Sequence, residues 1–163
     1  MKIVAKTDVG MVRESNQDSY TTGELPNGVA WAVVCDGMGG AAGGNVASST
    51  AVKVIAEQIT SSFRPGMSAN SIKNMMVSAI NAANISVYDI SCSNSELYGM
   101  GTTVVCAIVM EHTAYIAHAG DSRAYIVSHG ALTQLTRDHS VVQELVEHGK
   151  ITALEAKRHT NKN

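Results

Sequence analysis

The sequence predicts an α+β fold in which a pair of long helices lies against a largely antiparallel sheet. Three observations predict it. Val29-Ala-Trp-Ala-Val-Val-Cys35 is an almost unbroken apolar run, the pattern of a strand buried on both faces. Two long stretches, from Asn45 to Ser62 and from about Ser68 to Ser91, repeat apolar residues at helical spacing. From Gly99 onward, short β-rich segments alternate with tight turns, which indicates an antiparallel meander. Strands, then two helices, then strands is a segregated order, and segregation argues α+β.

Taken in chain order, Met1 to Asp8 alternates like a strand and lacks the apolar stretch of a signal peptide. Asp36 ends the apolar run, and Gly37 to Gly44 reads as a flexible turn. The first helix carries Val46, Val52, Ile55, Ala56 and Ile59, and Phe63-Arg64-Pro65-Gly66 breaks it. The second starts near Ser68 or Asn70, with Ile72, Met75, Met76, Ala79, Ile80, Ala83 and Val87 on one stripe. A short Pro-Gly connection makes the two helices pack antiparallel, with Met75 and Met76 as core filler. Strands are expected at Thr102–Val109, Thr113–His118, Ala124–Val127 and Leu132–Leu135, and short helices at Ser140–His148 and Thr152–His159. No repeat or low-complexity linker interrupts the chain, so residues 1–163 are expected to form one domain.

Composition excludes several classes. With 45% hydrophobic residues and a formal charge of −2, the chain is neither disordered nor a polyanion binder. No apolar run approaches the roughly 20 residues that span a bilayer. Three cysteines, two of them in apolar strands, read as reduced thiols of a cytoplasmic protein without disulfide or zinc. One Trp, one Phe and five Tyr beside eight Met point to a core of small side chains.

The chemistry concentrates in Asp18, Asp36 and Asp121, each placed at a strand end. A carboxylate on a rigid element, followed by a glycine that frees a carbonyl, is the ligand type of a hard divalent cation. The plain alternative is that Asp-Gly is a turn pair. The glycines after Asp36 lack the register of a nucleotide-binding loop, so they serve close packing at the helix start. Arg13 offers a planar guanidinium suited to a phosphoryl group, although a surface arginine is ordinarily just a solvated charge.

Arg13-x-x-Asn16-Gln17-Asp18, Asp36-Gly37-Met38-Gly39-Gly40, Gly101-Thr102-Thr103, Gly120-Asp121-Ser122-Arg123 and Thr136-x-Asp138-His139-Ser140 follow in one order. In that order and spacing the chain resembles the bacterial metal-dependent protein phosphatases of type 2C. The resemblance implies an antiparallel β-sandwich flanked by helix pairs. It implies hydrolysis of phosphoserine and phosphothreonine on proteins by a metal-activated water, with two or more Mg²⁺ or Mn²⁺ ions. By motif position, Asp36 would bridge two metals, the Gly37 carbonyl would bind one of them, and Asp18 would sit beside the site. Asp121 resembles the carboxylate of a third, looser metal, and Arg13 the phosphate-binding arginine. Met38 stands where some relatives carry a histidine proposed as general acid. His139 is weighed chiefly as structural support. Expected partners are phosphoprotein substrates and a cognate Ser/Thr kinase.

The resemblance also implies a departure. Family members continue into further strands carrying another Asp-Gly ligand and a late Asp-Asn ligand, and neither motif occurs here. The chain is therefore expected to lack its C-terminal strands and two metal ligands, and to associate with a second copy through exposed strand edges. The alternative reading is a catalytically silent interaction module or pseudophosphatase with the same fold.

Overall fold

The computed structural model describes residues 1–156 and forms two compact units, Met1–His118 and a second beginning at Ala119. In the first unit, β1 (Asp18–Leu25) and β2 (Val29–Met38) form a hairpin closed by Pro26-Asn27-Gly28. Asn27 and Gly28 both take positive φ there, a conformation that asparagine and glycine tolerate best. Helices α1 (Gly40–Ser62) and α2 (Ala69–Ser93) follow. Then come β3 (Gly101–Thr102), β4 (Val104–Met110) and β5 (Thr113–Ala119). The sheet runs β1-β2-β4-β5, and β3 pairs the far end of β2. Both β1 and β4 flank β2 antiparallel.

The core lies between this sheet and the helix pair. Trp31, Val33 and Cys35 alternate along β2 toward the helices, and β4 adds Val104, Cys106 and Ile108. From α1 come Ala47, Ala51, Ile55 and Ile59, and from α2 Ile72, Met76, Ala79 and Ala83, all in one cluster. The small residues let α1 lie close on β1 and β2 while α2 packs along it. Met75 and Met76 are buried core, as their place in the stripe requires. Ser68 caps α2 by accepting from the Ser71 N–H, which fixes the start that the sequence left between two residues.

Three expectations are corrected. Met1 to Asp8 forms no strand; its residues lie beside Tyr20, Thr22, Ala32 and Val34 without joining a ladder. Asp36 does not end β2, because Gly37 and Met38 continue it by pairing with Thr102 and Gly101. Nor is the stretch from Gly37 to Gly44 a flexible turn: α1 begins at Gly40, five residues before Asn45, and the corner is made by Gly39 (φ 118°) and Gly40 (φ 77°).

In the second unit, β6 (Tyr125–Ser128) and β7 (Ala131–Gln134) make an exposed hairpin, with α3 (Val141–Glu147) and α4 (Ala153–Ala156) beyond it. Ser140 caps α3 through the Gln143 N–H. The rest of the helix expected to reach His159 lies outside the described residues.

Candidate metal centre

The candidate site grows from the open end of the β1–β2 hairpin. Asp18 is the first residue of β1 and is paired directly with Asp36 of β2. Residues directly opposite in an antiparallel ladder share a face. Val33 and Cys35 point to the helices, so Asp36 falls on the opposite, exposed face, and Asp18 with it.

Asp36 is held by its backbone. Its N–H donates to the Thr103 hydroxyl (3.0 Å), and its carbonyl accepts from the Thr103 N–H (2.9 Å) and the Thr102 hydroxyl (2.9 Å). Thr103 lies between β3 and β4, and its buried hydroxyl serves where a neighbouring strand would ordinarily offer a carbonyl. Gly101-Thr102-Thr103 is thus the clamp of the acidic strand, a role the sequence did not reveal.

Gln17 fixes the other side. Its carbonyl accepts from the Gly37 N–H (3.1 Å) and from the Ser48 hydroxyl (2.7 Å), and its amide donates to the Gly40 carbonyl (2.6 Å). Ser48 is fully buried on α1 and also bonds the Ser19 hydroxyl (2.9 Å). One residue therefore ties the start of β1, the end of β2 and the first turn of α1. Glycine is needed at two of these crossings. A Cβ on Gly37 would strike the Gly44 carbonyl, and one on Gly39 would lie 2.6 Å from the Met100 Cα.

Asp18, Asp36 and Gly37 are thereby brought together. Arg13 sits in the exposed loop before β1 and makes no ion pair among the described residues. Asp121 belongs to the second unit, in the Gly120-Asp121-Ser122 connection after β5. There, two of the quoted motifs prove to be mates. Arg123 grips Asp138 with a two-pronged ion pair, Nε at 2.9 Å and Nη2 at 2.6 Å. The Asp138 carboxylate holds the Arg123 proton more tightly than usual, chiefly through that hydrogen bond. The His139 N–H donates to the Gly120 carbonyl at 2.9 Å, so His139 holds the loop that carries Asp121.

The donors around Asp36 are all hard oxygen: two carboxylates on one face and an adjacent glycine carbonyl. That chemistry fits a divalent cation that keeps several waters. Among the described residues no group of three or more His, Cys, Asp or Glu could hold a metal, so these residues fit as part of a ligand set. The thiols take no part. Cys35 and Cys106 are buried on the helix side of the sheet, and burial pushes both up to about 12.

Known proteins resemble this chain over nearly its whole length. The signature of the family Protein phosphatase 2C matches residues 12–159. The serine/threonine phosphatase stp of Listeria monocytogenes is 36% identical over 97% of this chain, which spans 62% of that protein's length. The serine/threonine phosphatase structure of S. agalactiae superposes with a TM-score of 0.89 at 35% identity, covering 97% of this chain and 64% of that one. The catalytic domain of the phosphatase PstP, solved with two manganese ions, superposes at 0.77 with 34% identity, covering 93% and 61%. The chain spans less than two thirds of the length of these relatives, and the resemblance extends over nearly all of it. From its signature, its fold and its relatives, the chain belongs to the protein phosphatase 2C family.

Proposed function

We propose that this chain carries the Asp18/Asp36 part of a metal-dependent protein phosphatase site, acting on phosphoserine and phosphothreonine. The observation that carries the reading is the pair of carboxylates on one sheet face, with Asp36 clamped by Thr102 and Thr103. When bound there, Mg²⁺ or Mn²⁺ supplies Lewis-acid charge for the phosphoryl oxygens and acidifies water near neutral pH. Asp36 and the Gly37 carbonyl would hold such ions on a rigid strand. Asp18 would accept hydrogen bonds from waters on the same face. Arg13 would orient the phosphoryl group through its planar donors. Asp121, in the second unit, is proposed for a looser third cation, with His139 positioning its loop. Manganese in PstP supports the choice of ion.

The test is turnover of p-nitrophenyl phosphate and of a phosphothreonine peptide with and without Mn²⁺. Activity that requires Mn²⁺ and disappears in Asp36→Asn supports the reading, and activity surviving that substitution contradicts it. A second reading, a catalytically silent binding module, is favoured by the lack of a three-residue metal cluster among the described residues. It predicts a folded chain with neither Mn²⁺ binding nor turnover.

The reading also carries a cytoplasmic setting, supported by three free cysteines, and a Ser/Thr kinase that makes the substrates. Among the described residues no helix is long and apolar enough to cross a membrane. Self-association is proposed through the β6–β7 hairpin, where Tyr125, Val127 and Leu132 share one exposed face. A two-stranded hairpin is marginal without a cover. Sedimentation should show a dimer that Leu132→Asp dissociates, and a monomer at every concentration contradicts it.

A further inference from the structure

The outer edge of β5 and the N-terminal half of α2 enclose a groove of about 620 Å³ in the first unit, remote in sequence from the acidic pair. One wall is the strand from Thr113 to Ala117; the other is Ala69, Lys73, Met76 and Val77 of α2. β5 pairs with β4 alone among the described residues, so it is an edge strand. The two-residue loop Glu111-His112 joins them, with Glu111 at positive φ. In such a hairpin the flanking pair Met110 and Thr113 closes the ladder, so Ala114 and Ile116 turn their N–H and C=O groups outward.

Edge strands are ordinarily blunted by proline, lysine, inward charges or bulges. The seven residues Thr-Ala-Tyr-Ile-Ala-His-Ala of β5 contain no proline, lysine, arginine or acid. The helix wall is apolar at Met76 and Val77, and its one charge is Lys73, which makes no ion pair among the described residues. An extended segment laid beside β5 would gain main-chain hydrogen bonds, apolar cover from α2, and a cation at the rim.

We propose that this groove binds an extended protein segment as an added strand, with an Asp or Glu of the segment meeting Lys73. The affinity comes from the strand edge, because backbone groups of any sequence can pair there. The selectivity comes from Lys73, since an isolated cation beside the groove favours carboxylates and opposes lysines. The occupant is thus an acidic, β-prone stretch of a partner, held away from the residues proposed for chemistry.

The experiment titrates the whole chain with two fluorescein-labelled octapeptides, Val-Thr-Val-Asp-Val-Thr-Val-Thr and its Asp→Lys counterpart, read by anisotropy. The acidic peptide should bind saturably and the basic one more weakly. Lys73→Glu should weaken the acidic peptide about fivefold and reverse the preference, as an exposed charge pair allows. Ala114→Pro removes an outward N–H without touching the β4 ladder and should abolish binding of both, with far-UV circular dichroism unchanged. If Ala114→Pro unfolds the chain, Lys73→Glu alone decides. No saturable binding, binding indifferent to Lys73→Glu, or binding unchanged in folded Ala114→Pro would overturn the proposal. Self-association that Ala114→Pro abolishes would also overturn it, assigning the edge to a second copy.

Discussion

Asp18 and Asp36 stand directly opposite each other across the first hairpin, two carboxylates at one ladder position on the sheet's exposed face. Like charges in that position destabilise a hairpin, by roughly 0.2–1 kcal/mol for a cross-strand pair. A folded chain keeps such a pair at a cost unless a cation offsets it. In chelator, Asp18→Asn should therefore raise the thermal midpoint slightly, and in Mn²⁺ the gain should vanish or reverse. A variant less stable than the parent in chelator would show that the two carboxylates do not oppose one another.

Thr103 makes a sharper prediction. Its buried hydroxyl accepts from the Asp36 N–H, so Thr103→Val removes that acceptor while keeping the shape of the side chain. An unsatisfied buried donor costs about 1–3 kcal/mol. Urea unfolding should register that loss, and Thr103→Ser should recover most of it. Equal stability of the valine and serine variants would remove the clamp from the account.

Alkaline pH should weaken the fold through the buried thiols. Burial raises Cys35 and Cys106 from 9.0 to about 12, so between these values the folded chain holds protons that the unfolded chain has released. By linkage their contribution is complete below about pH 9 and is lost as pH rises toward 12. The thermal midpoint should fall across that window, with a smaller slope in Cys106→Ala. Ellman's reagent should meanwhile modify exposed Cys92 first, and the other two only as the chain unfolds.

The helices and the central strand were legible because their signals are periodic and local. Ile72, Met75, Met76, Ala79, Ile80, Ala83 and Val87 mark α2 by spacing alone; six are buried, and Ile80 is partly buried against the same core. Of β1 only the strand end at Asp18 was read, since Asp-Ser-Tyr-Thr-Thr-Gly-Glu-Leu is mostly polar and its place depends on pairing with β2. The opposite error arose at Met1 to Asp8, whose alternation joins no ladder among the described residues. The glycines after Asp36 looked flexible in sequence. Their fixed positions come from crossings, Gly37 against Gly44 and Gly39 against Met100, that no local pattern displays.

At the site, Asp18 and Asp36 could be singled out as candidates, but not their direct pairing. Register between strands sets it, and register depends on the Pro26-Asn27-Gly28 turn. Gln17 and Ser48 were missed for a related reason: their roles are bonds to backbone across 23 and 31 residues of sequence. The pairing of Arg123 with Asp138 likewise appears only when the hairpin between them closes.

Calorimetric titration of Mn²⁺ into the parent chain and into Asp36→Asn tests the central claim most directly. The account predicts saturable binding in the parent and at least a tenfold weaker affinity in the variant, whose circular dichroism should stay unchanged. Equal heats from the two proteins, or none from the parent, would contradict it.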